Sequence, residues 1–213
     1  MLARYLLLTI LVVGLAGCAK TYYSAMETIG FHKRDILVDR IDDVKEAQLD
    51  VKEQFASALE RFSHELNFDG GELEKTYKII SEEYEASQER ADKLSARIES
   101  VNEVAEALFD EWEDELDEYT SSSLRRDSAA QLKDTRRRYQ TMLTVMRRTE
   151  RKMAPVLDTL RDQSLYLKHN LNARAIASLK NEFGSLKKDI NLLIKDVEAS
   201  IAAAESFMAT LRQ

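Results

Sequence analysis

The stretch ELNFDGGELEKT, residues 65–76, is the one place where carboxylates, an amide and a glycine fall at spacings that metal chemistry uses. Glu65, Asn67 and Asp69 take the first, third and fifth positions of a twelve-residue calcium loop, and Gly70 takes the sixth. The twelfth position, which should supply a bidentate glutamate, is Thr76, and the usually apolar eighth is Glu72. The stretch therefore reads first as a turn between helices, with a weak calcium-binding module as the alternative. His32, His64 and His169 are the only histidines, and none has a glutamate three residues before it, so the Glu-x-x-His pairs of a di-metal bundle are absent. A single cysteine rules out an intramolecular disulfide and a cysteine-based zinc cluster. The sequence contains no glycine-rich phosphate loop, nucleophile elbow or histidine-centred triad. The expectation is a protein that is not an enzyme and uses no cofactor or metal.

That cysteine, Cys18, closes the stretch LVVGLAGC. One early positive charge, Arg4, precedes an apolar run from Tyr5 to Val13 that is far shorter than the ~20 residues of a membrane span. The run ends in small residues, as a signal peptide does. LAGC resembles the lipobox of bacterial lipoproteins. The resemblance implies cleavage before Cys18, diacylation of its sulfur and acylation of its new amine. Two or three chains anchor firmly, because each buried CH₂ contributes ~0.8 kcal/mol. Ala19 in place of an aspartate then implies the outer membrane, with the protein on its periplasmic face. Residues 1–17 are thus expected to be a lipoprotein signal peptide, 18–23 the lipidated cysteine and a short tether, and 24–213 a helical domain. The alternative is an ordinary secretory signal or short anchor with a chance cysteine. A reactive thiol has no base or electropositive pocket in the sequence to support it.

The elements behind these residues announce themselves by period. One proline, six glycines and 32% charged residues argue for long helices. Apolar residues then recur every three or four positions in four runs. The first is Leu37, Ile41, Val44, Gln48, Val51, Phe55, Ala58, Phe62; the second extends from Leu73 through Ile80, Leu94 and Val101 to Leu108 and Trp112. The third runs from Leu132 through Tyr139, Met142, Met146 and Met153 to Leu160 and Leu167, and the fourth from Ile176 to Leu211. NFDGG at 67–71 is a strong turn, TSSS at 120–123 offers N-caps, and KHNLN at 168–172 is a weaker break. Ser24-x-x-Glu27 has the pattern of a capping box for the first helix. Pro155 lies inside the third run and should kink it. Short connections make neighbours antiparallel, so the expected fold is all-α: an elongated, coiled-coil-like, antiparallel four-helix bundle. If KHNLN does not break the chain, the result is a helical hairpin plus one very long helix. Trp112, Tyr77, Tyr84, Tyr139 and the methionines fall on seam positions and read as core.

Charge is distributed in blocks. Residues 103–119 are acidic without a Lys or Arg, and 123–139 are strongly basic. Folding at TSSS brings the blocks face to face, with Glu118 near Arg125, Asp117 near Arg126 and Glu106 near Arg137. Arg147, Arg148, Arg151 and Lys152 continue beyond the acidic block as a candidate basic patch for anionic lipid. A net charge of −7 argues against nucleic acid as a partner.

HKRDILVDR, NFDGGELE, LFDEWEDEL, SLRRDS and YLKHNLNARA together resemble a family of uncharacterised Gram-negative lipoproteins built on a helical domain of unknown function. The resemblance covers nearly the whole mature chain and implies the anchor and the helical fold, but no activity. An upright bundle held at Cys18 would raise NFDGG and KHNLN to a distal tip presenting Asn67, Phe68, Asp69, Lys168, His169, Asn170, Asn172 and Arg174, which serve equally well as turn chemistry or as a binding surface. The expected function is a non-enzymatic, lipid-anchored periplasmic spacer or adaptor of the cell envelope, its partner a periplasmic protein or the cell wall. The alternatives are a protein that binds anionic lipid or membrane shape, and the calcium module. Self-association is open, since heptads zip between chains as readily as within one.

Overall fold

The computed structural model describes residues 32–67 and 73–212. Cys18, the capping box at Ser24, Phe68 and Asp69 lie outside the described residues. Four helices follow one another: α1 (Lys33–Asn67), α2 (Leu73–Glu115), α3 (Ser122–His169) and α4 (Ala173–Leu211). A 3₁₀ turn at Leu116–Glu118 ends α2. At 1.5 Å per residue the helices are about 50 to 70 Å long. Each packs on its neighbour in sequence, and α1 closes the ring against α4. The architecture is the expected four-helix bundle, and KHNLN does break the chain: α3 ends at His169 and α4 starts at Ala173.

The heptads explain why these segments are helices and which face each one buries. All eight seam positions of α1, Leu37 to Phe62, are at most 1% exposed. In α2 the buried stripe drifts. Thr76 and Glu83 share the burial at its start, with Tyr77 and Tyr84 only half-buried, and Phe109 replaces Leu108 near its end. A straight helix has 3.6 residues per turn, so a strict 3.5 repeat slides around its surface.

Local chemistry sets the ends. Ser121 caps α3 by accepting a hydrogen bond from the Leu124 backbone N–H, and Asn172 caps α4 by accepting from Ala175 at 3.1 Å. α3 runs through Pro155 as one helix. Pro155 and Arg151 both lie on the solvent side, where water can serve the carbonyl that the missing N–H leaves free.

Three packed features fix the register. Tyr139 on α3 sits between Phe109 of α2 (ring centroids 5.4 Å apart) and Phe207 of α4 (5.9 Å), and its hydroxyl donates to Asn102 at 3.0 Å. Lys33, only 8% exposed, reaches Glu111 at 2.7 Å and ties α1 to α2. Near mid-bundle, α4 is held from both sides within a few residues. Thr149 donates to the Asp196 carbonyl at 3.2 Å, Gln48 donates to Ser200 at 2.6 Å, and Arg148 and Lys152 both meet the Asp196 carboxylate. Buried polar pairs of this kind select one register at some cost in stability.

Candidate functional site

Two regions collect the residues that the sequence marks. The first is the end of the bundle where the α1/α2 and α3/α4 turns lie. Asn170 donates through its backbone N–H to Leu167 and through its side chain to the Tyr166 carbonyl at 2.9 Å, so it serves the last turn of α3. Asn172 is occupied as the cap of α4. Lys168 and His169 are exposed in the last turn of α3, where cations complement the helix dipole. Arg174 is exposed, and Asn67 is the last residue of α1. The Thr76 hydroxyl donates to Glu65 at 3.1 Å, so the first and twelfth positions of the calcium-like stretch bond to each other across the α1/α2 hairpin. Among the described residues no three His, Cys, Asp or Glu side chains gather as metal ligands would.

The same end carries a feature that period alone did not mark. Leu165, Tyr166 and Leu171 are 49%, 40% and 42% exposed, three large apolar side chains around the end of α3. Their signal in sequence is that they lie off the heptad seam at the KHNLN break. Grooves flank the adjoining half of α4 on both sides. One, between α1 and α4, is lined by Leu59, Ser63, His64, Phe183 and Lys187. The other, between α3 and α4, is lined by Asp162, Gln163, Tyr166, Ser178 and Glu182. Gln163 is 2% exposed, and neither its amide oxygen nor its nitrogen has a partner among the described residues.

The second region is the α2/α3 hairpin. The acidic and basic blocks do meet, but with other partners than residue counting gives. Asp117 pairs with Arg125 and Glu113 with Arg136 at 3.1 Å, and beyond both blocks Glu99 pairs with Arg147. Arg136 also lies over the Phe109 ring, 5.4 Å from its centroid. Arg137 and Arg138 both turn to Asp134 on their own helix, and hydrogen bonding from Arg138 holds the Asp134 carboxyl below the usual carboxylate range. Of the candidate basic patch, Arg147 is engaged by Glu99 and Glu150, and Arg148 and Lys152 by Asp196; Arg151 makes no ion pair among the described residues. The hydrogen bond from Arg147 to Glu99 raises the guanidinium pKa further. Tyr139 is held well above its ordinary value, chiefly by burial and then by the nearby Glu106 charge.

Among the described residues no helix is long and apolar enough to cross a membrane. A family model described as Protein of unknown function (DUF2959) matches residues 22–211, and the chain belongs to that family. Neither the curated proteins nor the solved structures provide a match.

Proposed function

We propose that this member of the DUF2959 family is a lipid-anchored helical spacer or adaptor of the Gram-negative envelope, held at Cys18 to the periplasmic face of the outer membrane and engaging a partner through its distal end. The observation that carries the reading is the exposed Leu165, Tyr166 and Leu171 cluster beside Lys168 and His169, at the end of the bundle opposite the start of α1. Large apolar side chains rimmed by polar ones are how a soluble surface receives another protein. The LAGC resemblance supplies the anchor, and helices of about 50 to 70 Å supply the reach. In this reading Asn170 and Asn172 shape the turn, and the contact is made by the residues they present.

Two experiments test it. Labelled palmitate should enter the wild-type chain and not Cys18→Ser; equal labelling removes the anchor. Photo-crosslinking in cells from probes at Tyr166 and His169, with Ser122 at the opposite end as control, should give a discrete adduct from the first two only. Adducts from Ser122 alone, or from none of the three, refute a distal contact.

A further inference from the structure

The outer side of the α2/α3 hairpin carries charge that its own fold does not use. α2 has fourteen Asp and Glu against five Lys and Arg, whereas α3 has five against twelve. Both excesses sit where the backbone opposes them. Glu111, Glu113, Asp114 and Glu115 crowd the C-terminus of α2, which has no basic residue in its last turn, and Arg125 and Arg126 occupy the first turns of α3, which opens without an acidic one. A helix dipole disfavours anions at its C-terminus and cations at its N-terminus, so neither helix gains from its own block.

The hairpin neutralises only part of the excess. Glu103, Asp110 and Asp114 on α2, and Arg126 and Lys133 on α3, are exposed and make no ion pair among the described residues. Glu106 accepts from Asn102 on its own helix, and Arg137 turns to Asp134 on its own. Between these two ranks runs a groove of about 430 Å³ whose lining includes Leu116, Ala129, Leu132, Lys133, Arg136 and Arg137. Cross-seam bonds from Tyr139 to Asn102 and from Trp112 to Ser128 set the level of each residue. Counting along both helices from those bonds puts Lys133 near the level of Glu106, Arg137 near that of Glu103 and Arg126 near that of Asp114.

We propose that two copies of this chain associate side by side and parallel through their α2/α3 faces, the acidic rank Glu103, Glu106, Asp110 and Asp114 of one meeting the basic rank Arg126, Lys133 and Arg137 of the other. A two-fold axis running along the seam brings α2 of each copy beside α3 of its partner, so one pairing is made twice. It sets matched levels against each other and places groove on groove, giving the charges an apolar centre. An antiparallel arrangement puts both blocks opposite the other end of the partner and loses the complementarity. The orientation follows from where the charges lie and is independent of the anchor at Cys18.

Exposed ion pairs are individually weak and screened by salt, so the association depends on their number and should be salt-sensitive. The test co-expresses two full-length chains with different C-terminal tags and measures co-capture after mild detergent extraction. Wild-type chains should capture each other at low salt and release in about 1 M salt. Lys133→Glu/Arg137→Glu paired with itself, and Glu103→Arg/Glu106→Arg paired with itself, should each lose capture about tenfold. Mixing one chain of each kind should restore it, because both contacts then join opposite charges again. That rescue also shows that both variants fold. Absence of wild-type capture at low salt, self-capture that survives the reversals, or a mixture that fails to regain it overturns the proposal.

Discussion

Gln163→Leu should make this protein more stable. Gln163 is 2% exposed among the core residues of α3, and both ends of its amide are buried without a partner among the described residues. An unsatisfied buried polar group costs about 1–3 kcal/mol. Leucine removes two such groups, while fitting a branched side chain into the space of an unbranched one gives back up to about 1.5 kcal/mol. The net gain expected is between about 0.5 and about 6 kcal/mol. For a domain of this size, each kcal/mol moves the midpoint by about 2–4 °C. Gln163→Ala separates the two contributions, since it also removes the polar atoms but leaves a cavity, and it should fall about 2–5 kcal/mol below the leucine variant. Urea titration followed by far-ultraviolet circular dichroism reads both, provided the slope of the transition is unchanged. A leucine variant equal to or less stable than wild type, with native helicity, refutes the reasoning. The amide would then have a partner in solution.

Other perturbations give equally definite outcomes. Tyr139 is neutral and its folded pKa is raised, so its stabilising contribution is complete below the unfolded value of about 10 and is lost as pH rises through the folded one. Tyr139→Phe should therefore cost about 1 kcal/mol at neutral pH by leaving Asn102 without its donor, and should narrow the gap to wild type above about pH 10; parallel curves would show that Tyr139 does not titrate with the fold. Gly184 lies inside α4, and a Cβ there meets nothing within 4 Å, so Gly184→Ala should add about 0.5–1 kcal/mol in the same titration; a loss would mean the site is tighter in solution. Asp196→Ala releases Arg148, which is exposed, and Lys152, which is half-buried, and should cost about 1 kcal/mol at low salt and much less in about 1 M salt; a cost independent of salt would assign the effect to packing.

The parts of this fold that depend on neighbours along the chain were legible in the sequence. α1 buries every position its heptads mark, and Ser121 and Asn172 cap the helices where TSSS and KHNLN occur. The drift of the α2 stripe was hidden because its sequence keeps a strict repeat, and only the packed geometry decides whether Leu108 or Phe109 turns inward. Charge pairing was legible as blocks and not as partners. Arg137 has Asp134 three residues before it on its own helix, and that local pair prevails over Glu106 across the seam. Gln163 occupies the step between Leu160 and Leu167 that the period requires to be buried, yet whether its amide finds a partner depends on three other helices. Exposure at Tyr166 and Leu171 likewise depends on where the α3/α4 turn is carried, which no local pattern contains.

The polar clamp on the middle of α4 has a mechanical consequence. Thr149–Asp196 and Gln48–Ser200 fasten this helix to both neighbours within five residues, whereas the half toward KHNLN is bordered by grooves and rests over an unsatisfied amide. Fraying that starts at that end can run down α4 until it reaches the clamp, where further opening must break a buried pair on each side at once. Amide hydrogen exchange should accordingly fall in a step near Asp196 rather than grade smoothly along the helix. The bundle behaves as a zip with a stop halfway: one end is free to breathe while the other keeps its register.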